Sequence, residues 1–411
     1  MSIWQFLRDN RAWLAAGVLL TFTSSYGQTF FISIFAGEIR STFGLSHGAW
    51  GGIYTLGTSI SAVAMIWAGA LTDRWRVRSL AISVLGLLSA ACLAMATLQA
   101  VWALPFVILG LRFAGQGMTS HLAMVAMARW FVASRGRALS IASLGFQAGQ
   151  AFMPLLFVAL MAVVGWRWLW VLAAVLALAA LPVLLILLRH ERTPQSHAEV
   201  DQSEGMGGRH WRRADVLGHW LFWLMVPALL GPPAFGTALF FQQVHLAEIK
   251  GWALVDLVAL FPLFTGVSVL SMMVSGWAID RFGTGRLMPL YLMPITLGFA
   301  LMAFAHSLWG AALALSVIAL TVGWQSTLPG AFWAEFYGTK HLGAIKALAA
   351  AVMVLGSAIG PGLTGMLIDL GVGFEAQLLG MAVYFGLSAV LVTAGIARAR
   401  PLLARAAQID V

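Results

Sequence analysis

Twelve stretches of this chain are each apolar over a length that can cross a bilayer: near 12–37, 48–71, 79–98, 101–130, 138–164, 167–188, 219–245, 253–279, 287–305, 309–334, 344–369 and 376–397. A run of about 20 apolar residues spans the hydrocarbon as a helix, the one form in which such a segment pairs all of its own backbone groups inside lipid. Composition agrees: 61% of residues are hydrophobic and 9% charged, against a charged share of roughly 25% in soluble domains. The expectation is an all-α membrane protein with twelve transmembrane helices.

A second feature orders these runs. Asp73-Arg74 follows one apolar run and Asp280-Arg281 follows another 207 positions later; the same offset carries Gly69 onto Gly276, Gly136 onto Gly343, Gly149 onto Gly356 and Pro154 onto Pro361. That is the signature of a duplication into two related six-helix halves. Such halves are what an alternating-access transporter needs, because one half rocks against the other around a site between them.

The basic residues set an orientation. With both termini cytoplasmic, the inner side holds 20 of the 24 Lys and Arg; only Arg40, Arg167 and Lys250 lie outside, and Arg112 remains in the membrane. The positive-inside bias therefore accounts for the net charge of +9. The basic residues are spread over six inner segments and form no stripe, so no nucleic acid partner is expected. The first apolar stretch is too long for a signal-peptide core and lacks a clear cleavage site. The single cysteine, Cys92, excludes an internal disulfide and a cysteine-rich metal site.

The one long polar stretch, from Arg189 to about His219, holds ten of the chain's 39 charges together with Gly205, Gly207 and Gly208. It reads as a linker that lets two bundles move: residues 1–189, a cytoplasmic linker over 190–217, and residues 218–411. Tryptophans at segment ends, such as Trp13, Trp50, Trp102, Trp166, Trp168, Trp220, Trp252 and Trp309, suit an interfacial belt.

Gly69-Ala-Leu71-Thr-Asp73-Arg74, continuing to Arg78, resembles the loop between helices two and three of the major facilitator superfamily, and Gly276, Asp280, Arg281 and Gly283 echo it between helices eight and nine. The resemblance implies the major facilitator fold, two pseudo-symmetric six-helix bundles. It also implies that Asp73, Arg74, Arg78, Arg129, Asp280 and Arg281 form a latch that breaks between conformations. Physically, an Asp73 carboxylate ending helix two can accept from Arg74, Arg78 or Arg129; the bland alternative is a solvated loop that obeys the positive-inside rule. The sequence departs from the family at Arg76, where glycine is usual, and at Val77, where a basic residue is usual.

Ala128-Arg129-Trp130-Phe131, Arg135-Gly136-Arg137-Ala138, then Gly145, Gly149 and Pro154, resemble the helix-four to helix-five passage of the monocarboxylate and oxalate/formate branch. Gly145 and Gly149 form a small-xxx-small face that admits a neighbouring backbone. Gln147 lies on the opposite side of that helix, with Ser143 and Gln150, and either lines the substrate cavity or bonds between helices.

Arg112 is the sharpest single residue. It begins Arg112-Phe-Ala-Gly115-Gln116-Gly117, which resembles the helix-four motif of proton-coupled exporters. An intramembrane charge is costly enough that function is the default reading. Three roles stay open: binding a substrate carboxylate, tuning a proton site, or tying carbonyls and Gln28 together. His121 is the proton-coupling candidate, and a regular helix would turn it to the side opposite Arg112. No Asp or Glu falls near mid-membrane, so a carboxylate relay is not expected.

Further substrate-binding candidates are Tyr26, Gln28, Phe30, Gln116, Gln147, Phe241, Gln242, Trp324 and Gln325. Tyr26, Thr29, Phe30 and Ser33 are expected on one side of helix one, away from Gln28. Helix seven is expected to break at Gly231-Pro232-Pro233, and helix ten near Pro329-Gly330. Helix eight carries Thr265, Ser268, Ser271 and Ser275 but no charge before Asp280, which disfavours a dicarboxylate. The spans hold no metal spacing, nucleophile constellation or nucleotide loop, so no enzyme, metal or cofactor is expected. The resulting expectation is a monomeric secondary transporter of the cytoplasmic (inner) membrane, moving a small organic anion such as a monocarboxylate, with or without a proton. The alternative is a proton-driven exporter of lipophilic compounds.

Overall fold

The computed structural model describes residues 3–69, 71–131, 134–189 and 203–406. They are almost wholly helical, with one isolated antiparallel bridge between Gly205 and Arg209. Ten helices are individually long and apolar enough to span: His47–Ala68, Val77–Thr97, Val101–Trp130, Gly136–Met161, Trp166–Leu187, Trp220–Phe241, Leu254–Phe282, Leu308–Tyr337, Leu342–Asp369 and Phe374–Leu403. An eleventh is a pair, Arg11–Gly27 and Thr29–Phe43, bent by 47°. The twelfth predicted segment, 287–305, forms a longer helix over its C-terminal part only, as Met293–Phe304, because Pro289 and Pro294 withhold N–H donors and the second starts the helix. In chain order these are helices one to twelve, with Met293–Phe304 as helix nine.

Helix one is not the continuous span expected from its hydropathy. Its helical turns tighten over Ser24–Gly27, and Gln28 is extended at φ −86°, ψ 152°. The amides of Phe31 and Ile32 then bond the carbonyl of Gln28, leaving that of Gly27 without its helical partner. Helix seven corrects the sequence reading in the opposite sense. It runs unbroken through Pro227, Pro232 and Pro233, and the interruption falls later, at Gln242. Pro232 cannot bond the carbonyl of Ala228 four residues back, but the Tyr291 hydroxyl donates to that carbonyl at 2.8 Å. The Tyr384 hydroxyl donates to the neighbouring Pro227 carbonyl at 2.9 Å.

Packing divides the chain into two compact units. The first holds residues 1–199 with 240–249 and 253–261; the second holds 200–239, 250–252 and 262–411. In the first unit helix five lies against helix one, and a Cβ at Gly115, Gly145 or Gly149 would collide with helix one. Thr21 Oγ1 donates to Ala142 O at 2.5 Å across the helix-one/helix-five contact. The internal repeat is visible in the elements themselves: Arg135–Met161 carries Pro154 and Leu342–Asp369 carries Pro361, with starts 207 residues apart. Trp102, Trp168 and Trp309 are at least 70% exposed, as belt residues should be, whereas Trp50 is 1% exposed and belongs to the core.

The 190–217 linker begins outside the described residues, over 190–202. From 203 onward it is built onto the second unit. Met206 N donates to Phe336 O at 2.8 Å, Gly207 N to Leu402 O at 3.1 Å, and Ser203 N to Thr339 Oγ1 at 2.8 Å. Trp211 is buried edge-on against Tyr337, 5.2 Å between centroids.

Candidate functional site

The break in helix one and a break in helix four meet. Residues 112–119 of helix four form a π-helix, a local widening that recurs at functional sites. A Cβ on Gly115 would sit 2.6 Å from Cα of Gly27, so the two backbones touch where neither residue has a side chain. The carbonyl of Gly27, freed at the break, accepts from Arg112 Nη1 at 3.1 Å. The same nitrogen lies 3.3 Å from Thr29 Oγ1, and Thr29 shares a 2.6 Å hydrogen bond with the Tyr54 hydroxyl on helix two. The guanidinium carbon stands 5.4 Å from the centroid of the Tyr54 ring. Arg112 is 1% exposed, and its Nε has no hydrogen-bond partner. No Asp or Glu of the described residues forms an ion pair with it. The result is a buried cation held by one carbonyl, one hydroxyl and one ring face, with part of its donor fork unspent.

The π-helix also changes where His121 points. A regular helix would place it opposite Arg112. Here Arg112 faces Tyr54 on helix two, and His121 Nε2 lies 3.5 Å from where a Cβ on Gly69, just past the end of helix two, would be. Both side chains therefore face the same neighbouring helix, His121 toward its C-terminal end, because the wider turn breaks the register between them.

The remaining candidates divide. Tyr26 does not join Thr29, Phe30 and Ser33 on one side of helix one; the extended residue at 28 separates them. Its ring packs against Phe31 and Phe157, 5.4 and 6.4 Å between centroids, at the base of an apolar crevice between helices one, five and six. Gln28 is buried, its amide 3.5 Å from Ser24 Oγ. Phe30 meets Phe146 on helix five at 5.7 Å. Gln116 lies within the π-helix and Gln147 on helix five, both half-buried. Phe241 stacks on Trp50 at 5.6 Å and lies 4.7 Å from the Tyr54 ring, which links it to Arg112 through Tyr54. Gln242 is buried at the interruption of helix seven. Trp324 and Gln325 end the first part of helix ten in the second unit. Helix ten breaks at Ser326-Thr327, before Pro329-Gly330, and Thr327 shares a 2.6 Å bond with Ser275 of helix eight.

Three contributors, Tyr54, His47 and His245, were not picked out from the sequence. Tyr54 has nothing near it in the chain that marks it, although Trp50, Tyr54 and Thr58 at four-residue spacing share one helical face. Gln243 donates to Phe30 O at 3.1 Å and to Ser33 Oγ at 2.7 Å, and Ser33 donates to Phe240 O at 2.7 Å. Beyond it, the rings of His47 and His245 meet at 4.3 Å. Burial holds the His245 imidazole below its usual pKa; Glu248 pulls it up and Arg40 pushes it further down.

The loop residues behave differently in the two halves. Arg129 donates to the carbonyl of Thr72 at 2.5 Å, which ties the end of helix four to the helix-two/helix-three loop. The side chains of Asp73 and Arg74 lie outside the described residues. Arg78, Asp280 and Arg281 are exposed. In the second half Glu335, at the end of helix ten, accepts from Thr284 N at 3.0 Å and Thr284 Oγ1 at 2.6 Å. Arg76 sits at an ordinary φ of −66°, while its repeat equivalent Gly283 takes φ +73°. The family's glycine is dispensable in the first loop because that turn is built without a left-handed residue.

A discontinuous helix crossing a glycine-lined neighbour around a buried polar group is the architecture of secondary transporters. Residues 17–324 match the Major Facilitator Superfamily, and the chain belongs to that superfamily. It is a secondary transporter and not an enzyme. It is 29% identical over 380 residues to an uncharacterized 38 kDa protein in the 23S RNA operon of Thermoproteus tenax, covering 90% of this chain and 91% of that one. Its fold is similar to that of a bacterial homolog of the human lysosomal transporter Spinster, in an inward-facing, unoccupied conformation, with a TM-score of 0.69 at 15% identity over 96% of this chain and 98% of that one. It is also similar to a mutant of the nucleoside transporter NupG, with a TM-score of 0.69 at 15% identity over 94% and 99%.

Proposed function

We propose that the chain carries a small organic monoanion, a monocarboxylate, across the cytoplasmic membrane by alternating access, with Arg112 as the group that recognises the carboxylate. The observation that supports this is the uncompensated guanidinium: it is buried, has no acidic partner among the described residues, and keeps Nε unpaired. A buried cation is normally paired, and a carboxylate is the ligand its planar fork fits bidentately. In the state described the guanidinium is closed off, so access requires Tyr54 or the helix-one break to move. His121 is the group in this half suited to carry a coupled proton.

A second reading has one observation in its favour. The clustered Trp50, Tyr54 and Phe241 rings, the first and last of them stacked, offer an apolar wall that would suit a lipophilic export substrate. The test is uptake into proteoliposomes with an imposed pH gradient. Inward accumulation of a labelled monocarboxylate, lost in Arg112→Ala, supports the first reading; gradient-driven dye expulsion unaffected by carboxylates refutes it.

A further inference from the structure

A cavity of about 580 Å³ opens at the inner end of the first unit, away from Arg112, lined by Arg8, Asp9, Arg11, Trp13, Ile186 and Arg189 with their neighbours. Its walls come from the N-terminal helix Ile3–Asp9, the start of helix one and the end of helix six. The short N-terminal helix is fixed in place: Phe6 is 1% exposed and meets Phe131 edge-on at 5.6 Å, and Asn10 Nδ2 donates to Phe6 O at 2.9 Å. Its other face leaves Trp4 78% exposed, a residue type suited to the headgroup region.

Inner-side arginines are expected singly from insertion alone; here three from different elements converge on one cavity. Against three guanidinium groups the lining offers one carboxylate, Asp9, and no ion pair or side-chain hydrogen bond within the described residues engages any of them. Among the described residues these guanidinium groups thus lack matching countercharge, and an anion seated in the cavity would supply it. Above the cavity helix six presents Val183 and Ile186, 48% and 73% exposed, and Arg189 follows at the same three-residue spacing. An apolar track on the bilayer face thus ends in a guanidinium, the outline of an acyl chain leading to a phosphate.

We infer that this cavity binds the phosphate headgroup of an anionic phospholipid in the leaflet facing the basic side, with Arg8, Arg11 and Arg189 on the phosphate, Trp13 at the glycerol level and Val183 and Ile186 along the chain. Basic pockets between helices on the cytoplasmic side are suited to such headgroups. The inference rests on the membrane fold and not on the transported substrate. Each arginine contributes about fivefold to affinity and the three together on the order of a hundredfold.

Native mass spectrometry of the full chain, with melting curves in detergent, tests it using phosphatidylglycerol, phosphatidylcholine and glycerol 3-phosphate as probes. The expected result is retention of phosphatidylglycerol alone, a melting point raised by it alone, and roughly hundredfold weaker binding in the triple variant R8Q/R11Q/R189Q. The control triple R212Q/R213Q/R286Q, removing equal charge elsewhere, should bind as the unaltered chain does. Equal losses in both triples would reduce the effect to net charge and overturn the site; glycerol 3-phosphate binding as tightly as the lipid would replace the lipid with a soluble phosphate. Should the first triple fail to fold, Asp9→Asn decides, since removing the one carboxylate should tighten phosphatidylglycerol binding severalfold. Unchanged affinity there refutes the inference.

Discussion

Replacing Arg112 with methionine separates a binding role from a structural one, because the two predict opposite pairings of stability and activity. The side chain is unbranched and of similar length, so packing in the 1%-exposed site is kept. What is lost is the bond to Gly27 O at 3.1 Å and the contact with Thr29 at 3.3 Å, about 1.5–3 kcal/mol each for charged donors. The Tyr54 cation–π contact at 5.4 Å adds about 2 kcal/mol when desolvated. What is relieved is the burial of a cation without a countercharge, several kcal/mol even after relaxation, and an unpaired Nε worth about 1–3 kcal/mol. The two sides nearly cancel, so Arg112→Met should change stability by no more than about 2 kcal/mol, a shift of a few degrees in melting temperature. Carboxylate binding should weaken far more: removing one partner of a buried charge pair costs about 2–5 kcal/mol, at least about thirtyfold in affinity. Melting curves with and without a panel of monocarboxylates, alongside proteoliposome uptake, read both quantities. A variant that melts more than about 10 °C lower would show a structural tie, since so large a loss needs contacts that outweigh the burial penalty. One that still binds and transports would remove Arg112 from the site.

Gly115→Ala places a methyl 2.6 Å from Gly27 Cα and should cost about 1–3 kcal/mol as overpacking, with transport reduced along with melting temperature; an unshifted melt would mean the helix-one/helix-four crossing is not tight. Asp73→Asn should lower turnover while leaving expression and substrate affinity near those of the unaltered chain, and full turnover would count against a latch at the Thr72–Arg129 contact. His245 carries a depressed pKa from burial, so an unpacked His245 binds protons more readily than the packed one. Packing of 243–250 is then fully favourable above the ordinary value of 6.5 and weakens as pH falls through it, levelling off below the depressed value. Hydrogen exchange of that segment between pH 5 and pH 8 should show protection falling toward acid, an effect His245→Gln abolishes; a flat profile would refute it.

How far the chain could be read before its structure follows from which signals are local. Hydropathy located the spans because apolar length is a property of contiguous residues, and it failed at Gln28 because that break is set elsewhere. Gly27 leaves the helix where Gly115 of helix four presses against it, and the site there contains both Arg112, found by its charge, and Tyr54, which nothing nearby in the chain singles out. Tyr26 went to the wrong side for the same reason: a phase counted at 100° per residue does not survive an extended residue. Helix seven was misread in reverse. Two adjacent prolines promised a break, but hydroxyls from Tyr291 and Tyr384, 63 and 157 residues away in the chain, satisfy the local carbonyls. A proline forces a backbone gap, and only the tertiary structure decides whether the gap opens.

The duplication sharpens what the site can recognise. Carried 207 positions on, Gly27 becomes Ala234, Thr29 becomes Gly236, Tyr54 becomes Phe261, Arg112 becomes Ala319 and His121 becomes Leu328. Every polar or charged member of the cluster is apolar or glycine in its copy, and the helix-one break does not recur at the equivalent Phe235 of helix seven, although the helix-four irregularity does: the π-helix ends at Thr119, and helix ten breaks at the equivalent Ser326. The two halves thus retained a discontinuity and lost its chemistry in one of them. On the proposed reading one cation pairs with one negative charge; the repeat positions Phe261 and Ala319, both 2% exposed or less, supply no second cation, so a dicarboxylate would keep one anion unpaired at a desolvation cost of several kcal/mol. Installing the copy's missing cation, Ala319→Arg, should therefore either fail to insert stably or widen selectivity toward dianions. A variant that folds and still rejects them in competition uptake would show that charge matching between the halves does not govern selectivity.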